Sequence, residues 1–248
     1  MSKVSEVPFK GDYINGRWVL SEKVDGEFID TSPADLGDTI MRLQFSYNNI
    51  ERATRAAREA FKSWSVLAVE ERASYLRRLK EIYIARQDQI AEIIARETGK
   101  PLWETKTEAS AMINKIDITL DFSMALVKDE TLENALPGMK GVVRHRPRGV
   151  MAILGPFNFP GHLPNGHIVP ALATGNTVVF KPSELTPAIA QLMAEMFNEA
   201  KFPPGVFNLI HGEGETGKRL VADEFVDGIL FTGAYETGQK IKQATMDH

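Results

Sequence analysis

"VMAILGPFNFPGHLPNGHIVPALATGNTVVFKPSE", residues 150–184, holds two unbroken apolar runs, "VMAIL" and "TVVFK", on either side of a helical segment. Neither run alternates apolar with polar residues, so each reads as a strand buried on both faces, as in a parallel sheet covered by helices. The alternation continues outward. "PAIAQLMAEMFNEA" (187–200) carries helical spacing, "GVFNLIH" (205–211) is again a continuous apolar run, "TGKRLVADE" (216–224) is helical, and "DGILFTG" (227–233) closes the series. Strands that alternate with helices predict an α/β fold with a mostly parallel sheet and flanking helices.

Upstream of residue 150 the pattern differs. "YINGRWVL" (13–20) places Asn-Gly between two short apolar segments and predicts a hairpin with a tight turn. "SPADLGD" (32–38) is a turn-rich link. Ile50, Ala53, Ala57, Ala60, Phe61 and Trp64 fall on one helical face. A second helix is expected from about Val69 to Thr98, stopped by Gly99, and a third from about Pro101 to Val127. Their apolar stripes are read as core. After "LPGMKG" (136–141), "VVRHRPRGV" (142–150) is read as an extended, partly exposed strand, with Pro147 placing it at an edge.

Composition narrows the function classes. The chain has 248 residues, 43% hydrophobic and 25% charged, with a formal net charge of −4. That balance gives no electrostatic reason to expect nucleic acid or an anionic membrane as partner. The basic cluster "RHRPR" (144–148) is short and reads as a solvated edge. No stretch approaches the ~18 apolar residues of a membrane helix, and the first residues lack the apolar core of an export signal, so the cytoplasm is expected. There is no cysteine, hence no disulfide, thiolate metal ligand or thiolate nucleophile among these residues.

Four segments raise chemical questions. Asn158, in "GPFNFPGH" (155–162), is either the cap of the helix that follows or an amide aimed at a charge that forms during a reaction. "GEGETGKR" (212–219) fits both a dinucleotide glycine pattern and most of a P-loop. Arg219 stands where a magnesium-binding hydroxyl belongs, and Glu213 and Glu215 would oppose a phosphate, so a plain strand-to-helix turn is preferred over an ATP site. "FTGAYETG" (231–238) follows a strand and opens a helix, where backbone N–H groups can hold a pyrophosphate; its alternative is a connecting turn. "FKPSE" (180–184) puts Lys181 and Glu184 at a strand's carboxyl end, where they are either an exposed ion pair or ligands for a ribose diol. His162 and His167 stand five apart, which is not metal-ligand spacing, and are read as packing residues.

Taken together, residues 155–187, "FPPGVFNLIHGEGETG" (202–217) and "FTGAYETG" resemble the aldehyde dehydrogenase superfamily. "ARETGKPLWETKTEASAMINKI" (95–116) and "RHRPRGV" (144–150) make the chain look like its succinylglutamate-semialdehyde dehydrogenase branch. The resemblance implies a Rossmann-like cofactor domain and NAD-dependent oxidation of N-succinylglutamate 5-semialdehyde to N-succinylglutamate in arginine catabolism. It implies Asn158 as an oxyanion-hole donor. Lys181 and Glu184 would hold the adenosine ribose, with Gly233, Ala234, Tyr235, Glu236, Thr237 and Gly238 at the pyrophosphate. Ala234 departs from the serine common in the family. The family's general-base glutamate and nucleophilic cysteine find no counterpart here, so the resemblance implies a chain truncated before the catalytic domain and inactive by itself. The expected organisation is 1–128 as hairpin and helical part, 129–149 as a bridging and self-association segment, and 150–248 as the parallel-sheet NAD-binding part. The expected partners are the cofactor, an aldehyde substrate and further copies of the chain; a non-catalytic, self-associating remnant is the alternative.

Overall fold

The computed structural model describes residues 5–246; the outermost ends of the first and last expected ranges, 1–4 and 247–248, lie outside the described residues. The chain begins with a hairpin, β1 (Asp12–Ile14) and β2 (Arg17–Val19). Asn15 and Gly16 both take positive φ, 52° and 76°, the conformation that a two-residue turn needs to match strand twist. A second hairpin follows, β3 (Gly26–Thr31) with β4 (Thr39–Phe45). The turn-rich link at 32–38 is its connection; its strands were not legible because β3 exposes Ile29 and buries Asp30, which spoils the apolar alternation, and the register shifts at Asp30/Thr31.

Helix α1 (Asn48–Trp64) buries the expected face, Ile50, Ala53, Ala57, Ala60 and Trp64. The single helix expected over 69–98 is instead two, α2 (Val69–Ala85) and α3 (Gln87–Thr98). Arg86, at φ −110° and ψ 16°, interrupts it. At the interruption the Arg86 guanidinium reaches Glu195 at 3.0 Å and Glu199 at 3.6 Å. Gly99 closes α3 in the left-handed region at φ 70°. The helix expected up to Val127 stops earlier. α4 (Leu102–Asp117) gives way to a π turn, Ile118–Phe122, and a 3-10 turn, Ser123–Val127.

Strands β5 (Glu130–Leu136) and β6 (Met139–Val143) pair antiparallel across "LPGMKG", and their residues are almost all exposed. The extended segment expected to reach residue 150 as one strand is therefore broken. β6 ends at Val143, and 144–149 runs without ladder pairing into the sheet. Pro147, which cannot donate to a ladder, lies in that unpaired stretch.

The rest of the chain alternates as expected: β7 (Val150–Leu154), α5 (His162–Ala173), β8 (Thr177–Lys181), α6 (Pro187–Glu199), β9 (Phe207–Leu209), α7 (Gly214–Val221), β10 (Gly228–Phe231) and α8 (Tyr235–Ala244). The sheet order is β10-β7-β8-β9-β1-β2. The four later strands are parallel, and the first hairpin extends them antiparallel through β1 against β9, so the sheet is mixed. One face packs on α1, with Val150, Ala152 and Val179 against Ile50, Ala53 and Ala57. The other carries the larger core, in which Phe197 of α6 stacks on Phe207 of β9 at 4.0 Å between ring centroids.

That order matters for function. From β7 the chain winds to β8 and β9 on one side, then returns to β10 on the other. A crevice opens outside the carboxyl ends of β7 and β10, where ligands of open α/β sheets bind.

Candidate functional site

The crevice is a cleft of about 900 Å3 between the strand ends, α7 and α8. Its size lies at the upper end of ordinary ligand pockets, ~300–1,000 Å3. Asn158, Lys181, Glu184, Gly233, Ala234 and Thr237 all line it, although 79 residues separate the first from the last of these in sequence. Gly238 does not; it lies beside Phe231 on the far side of α8. Tyr235 is 75% exposed and its hydroxyl accepts from Gln239 Nε2 at 2.7 Å, and Glu236 is likewise exposed. The helix N-terminus thus turns its backbone and Thr237, rather than the Tyr and Glu side chains, toward the space.

Lys181 ends β8, paired in register with Leu154 of β7. Its side chain is 7% exposed, with the ammonium 3.3 Å from Oε2 of Glu184, whose side chain is 45% exposed. Burial pulls the Lys181 pKa below the usual lysine range, opposed by the Glu184 charge. A half-exposed carboxylate beside a buried cation is suited to accept from hydroxyls at the cleft mouth while the ammonium donates from below. Gly233 follows β10 where a Cβ would fall 2.5 Å from the Phe231 ring, so any larger residue there would require that ring to move. Neither α7 nor α8 has a side-chain cap on its first N–H groups. Those donors, with Lys181, suit a diphosphate and ribose. The residues present fit a nicotinamide dinucleotide.

Sequence reading set "GEGETGKR" aside, yet Gly214, Gly217 and Lys218 form a wall of the same cleft. The objection had been like charge from Glu213 and Glu215. In the fold Glu215 lies along its own helix, 3.0 Å from Arg219 Nε and 3.7 Å from Lys218 Nζ. The available signal was positional: this turn follows a strand at the same sheet edge as "FTGAYETG".

Asn158 sits in the loop between β7 and α5. It is not the helix cap: its Oδ1 accepts from the Phe159 N–H at 3.1 Å. The cap comes from α4, where Glu108 Oε1 accepts from the N–H groups of Gly161 and His162 at 3.0 and 3.1 Å. Lys100 completes the clamp, with its ammonium 3.5 Å from Glu108 Oε2 and 3.4 Å from the centre of the Phe159 ring. Glu108 and Lys100 were not singled out in the sequence, because a Glu on a helix and a Lys in the link before it read as solvated charge. His162 Nδ1 is buried without a partner. His167 Nε2 lies 2.9 Å from Thr232 Oγ1, at the turn after β10. Among the described residues no cluster of three or more His, Asp or Glu could hold a metal, and no helix is long and apolar enough to cross a membrane.

Comparison with known proteins accords with this geometry. Residues 18–248 match the model of the aldehyde dehydrogenase family. N-succinylglutamate 5-semialdehyde dehydrogenase of Chromobacterium violaceum is 45% identical over 91% of this chain and 46% of its own length. The enzyme of the same name from Burkholderia thailandensis is 43% identical over 91% of the chain and 46% of its own length. The chain spans about half the length of the curated relatives it matches. Among solved structures, the NAD-dependent aldehyde dehydrogenase of Sinorhizobium meliloti superposes with a TM-score of 0.91 at 28% identity, over 98% of this chain and 48% of that one. An NADP-dependent glyceraldehyde-3-phosphate dehydrogenase of Bacillus halodurans, complexed with NADP, gives 0.88 at 30% identity, over 94% and 50%. Sequence, sheet order and cleft agree: this chain belongs to the aldehyde dehydrogenase family.

Proposed function

We propose that this chain supplies the cofactor-binding part of an NAD-dependent dehydrogenase that oxidises N-succinylglutamate 5-semialdehyde to N-succinylglutamate, a step in arginine catabolism in the cytoplasm. The observation that carries the reading is the cleft at the switch point, with Lys181 and Glu184 on one wall and the α8 N-terminus on the other. The nicotinamide group, when bound, accepts hydride from the aldehyde carbon.

The chain's own residues have narrower tasks. Glu184 accepts from the ribose hydroxyls and repels a 2′-phosphate, which favours NAD over NADP. Lys181 donates to the same ribose. Gly233, Ala234 and Thr237 present backbone N–H groups to the pyrophosphate, with Tyr235, Glu236 and Gly238 continuing that helix. Asn158, its carbonyl oxygen engaged by Phe159, turns its NH2 toward the oxygen that becomes negative as the aldehyde is attacked. The chain given has no cysteine, so it offers no thiolate to make that attack. Titration calorimetry tests the reading. NAD should bind, NADP should bind more weakly, and the purified chain should not reduce NAD with the semialdehyde. Absence of NAD binding, or equal affinity for NADP, overturns the cofactor assignment.

A second reading rests on the β5–β6 hairpin, whose Leu132, Leu136, Met139 and Val142 are each more than half exposed. Such a ribbon favours self-association into a homo-oligomer. Light scattering at tens of micromolar distinguishes a dimer or larger from a monomer, and a monomer removes this reading.

A further inference from the structure

The dipeptide Asn-Gly occurs twice in this chain, at Asn15-Gly16 and at Asn165-Gly166. The pair is reactive by its own chemistry. The backbone nitrogen of the second residue is a nucleophile close to the asparagine carboxamide, and glycine has no side chain to shield it or restrict its approach. The fold treats the two pairs in opposite ways. Asn165 is fully buried inside α5. Its Oδ1 accepts from the Tyr83 hydroxyl at 3.1 Å, and its Nδ2 donates to the Met112 carbonyl at 3.0 Å. Both ends of the carboxamide are held, and the Gly166 N–H belongs to the ladder of a helix.

Asn15 is exposed. Its backbone N–H donates to Asn208 Oδ1 at 3.0 Å, but its side chain makes no hydrogen bond among the described residues. The turn between β1 and β2 nevertheless demands this dipeptide. Position 15 has a φ of 52°, which asparagine tolerates better than most residues. Position 16 has a φ of 76°, and a Cβ there would meet Pro204 at 3.3 Å, so glycine suits it. The residues that close the hairpin are also the ones that react.

We propose that Asn15 is a site of spontaneous deamidation, whose isoaspartate product opens the first hairpin. When the turn opens locally, the Gly16 nitrogen attacks Asn15 Cγ. The new C–N bond closes a cyclic imide, the Cγ–Nδ2 bond breaks, and the Gly16 amide proton leaves with the Nδ2 group as ammonia. Water then opens the imide at either carbonyl. Hydrolysis at Cγ gives an aspartate and restores the backbone. Hydrolysis at the backbone carbonyl gives isoaspartate, in which the main chain runs through the former side chain and is one methylene longer. A two-residue turn has no slack for that methylene, because Asp12 must still meet Val19, Tyr13 meet Trp18 and Ile14 meet Arg17. The effect reaches beyond the turn: Asp12 Oδ1 accepts from the His211 N–H at 2.8 Å and lies 2.9 Å from the His211 ring Nδ1, just before the turn into α7.

The test ages the purified chain at mildly alkaline pH and follows its tryptic peptides by mass spectrometry, with fragmentation to place the site and tell isoaspartate from aspartate. The peptide carrying Asn15 should lose ammonia and then gain water. Conversion at Asn165 should be slower by about tenfold or more, since it needs an opening of buried helix rather than of an exposed turn. Asn15→Gln, whose longer arm closes the ring poorly, should stay unmodified. Hydrogen exchange then reads the consequence. The isoaspartate form should exchange faster across β1 and β2 than fresh protein, while freshly prepared Asn15→Asp, which has the charge without the extra methylene, should match wild type. An intact Asn15, equal conversion at Asn165, or isoaspartate protein with unchanged exchange overturns the proposal. So does an Asn15→Asp variant that exchanges as fast as the isoaspartate form, because charge alone would then open the hairpin.

Discussion

Asp30 of β3 and Glu97 of α3 lie carboxyl against carboxyl beneath the second hairpin, 5% and 4% exposed. Glu97 also holds α6 by both oxygens, accepting from the Ala188 N–H at 2.5 Å and the Ile189 N–H at 3.0 Å. Two carboxylates cannot both ionise at that range without water between them. Burial pushes the Asp30 pKa up to about 7, and burial with the neighbouring Asp30 charge pushes Glu97 well above the usual carboxylate range.

The sign of the pH dependence follows. A carboxyl whose folded pKa is raised binds its proton more tightly in the folded than in the unfolded chain, so its contribution is complete below an unfolded pKa of about 4. It is lost as pH rises toward about 7. Urea unfolding between pH 4 and pH 8 should show stability declining across that window. Asp30→Asn, which keeps a hydrogen-bonding group without the charge, should flatten the decline. An Asp30→Asn profile parallel to wild type would refute the shared proton.

Trp64 is 1% exposed and its indole N–H donates to the Leu172 carbonyl at 3.2 Å, joining α1 to α5. Trp64→Ala leaves a large cavity and removes one of the donors to the Leu172 carbonyl, and should cost about 3–5 kcal/mol. For a chain of this length that lowers the melting temperature by roughly 10 °C or more. Differential scanning calorimetry checks it.

Glu108→Ala removes the acceptor for two N–H groups at the start of α5 and leaves Lys100 without its buried partner. The expected loss is about 3 kcal/mol. Amide exchange should accelerate first at Gly161 and His162, while exchange in β8 follows only the global stability. Uniform acceleration would show that Glu108 does not clamp this loop in particular.

On the proposed cofactor reading, Lys181→Ala should weaken NAD and NADP alike, through the part of the ribose the two cofactors share. Glu184→Gln should weaken NAD and narrow the gap between the cofactors, because it removes the charge that repels a 2′-phosphate. Calorimetric titration of both variants with both cofactors measures this. Unaltered affinities in Glu184→Gln would make "KPSE" a strand end without a ligand role.

Local chemistry was enough for much of this. Unbroken apolar runs at 150–154 and 177–181 mark strands buried on both faces, because they are too short for a buried helix and are bounded by turn residues. Asn15-Gly16 marks a two-residue turn because its backbone angles suit those residues. Strand-to-turn-to-helix punctuation located "FKPSE" and "FTGAYETG", and the length and rarity of the block from Gly155 carried the family resemblance. Tertiary structure alone decided three things. The helix expected over 69–98 breaks at Arg86, whose partners Glu195 and Glu199 come from more than a hundred residues away, beyond any helical period. The walls of the cleft include Gly214, Gly217 and Lys218 because the chain reverses at β10 and brings α7 and α8 to one crevice. On a helical wheel Glu108 is one more polar residue of an amphipathic helix. Only the packing of α4 on α5 makes it the clamp of a loop.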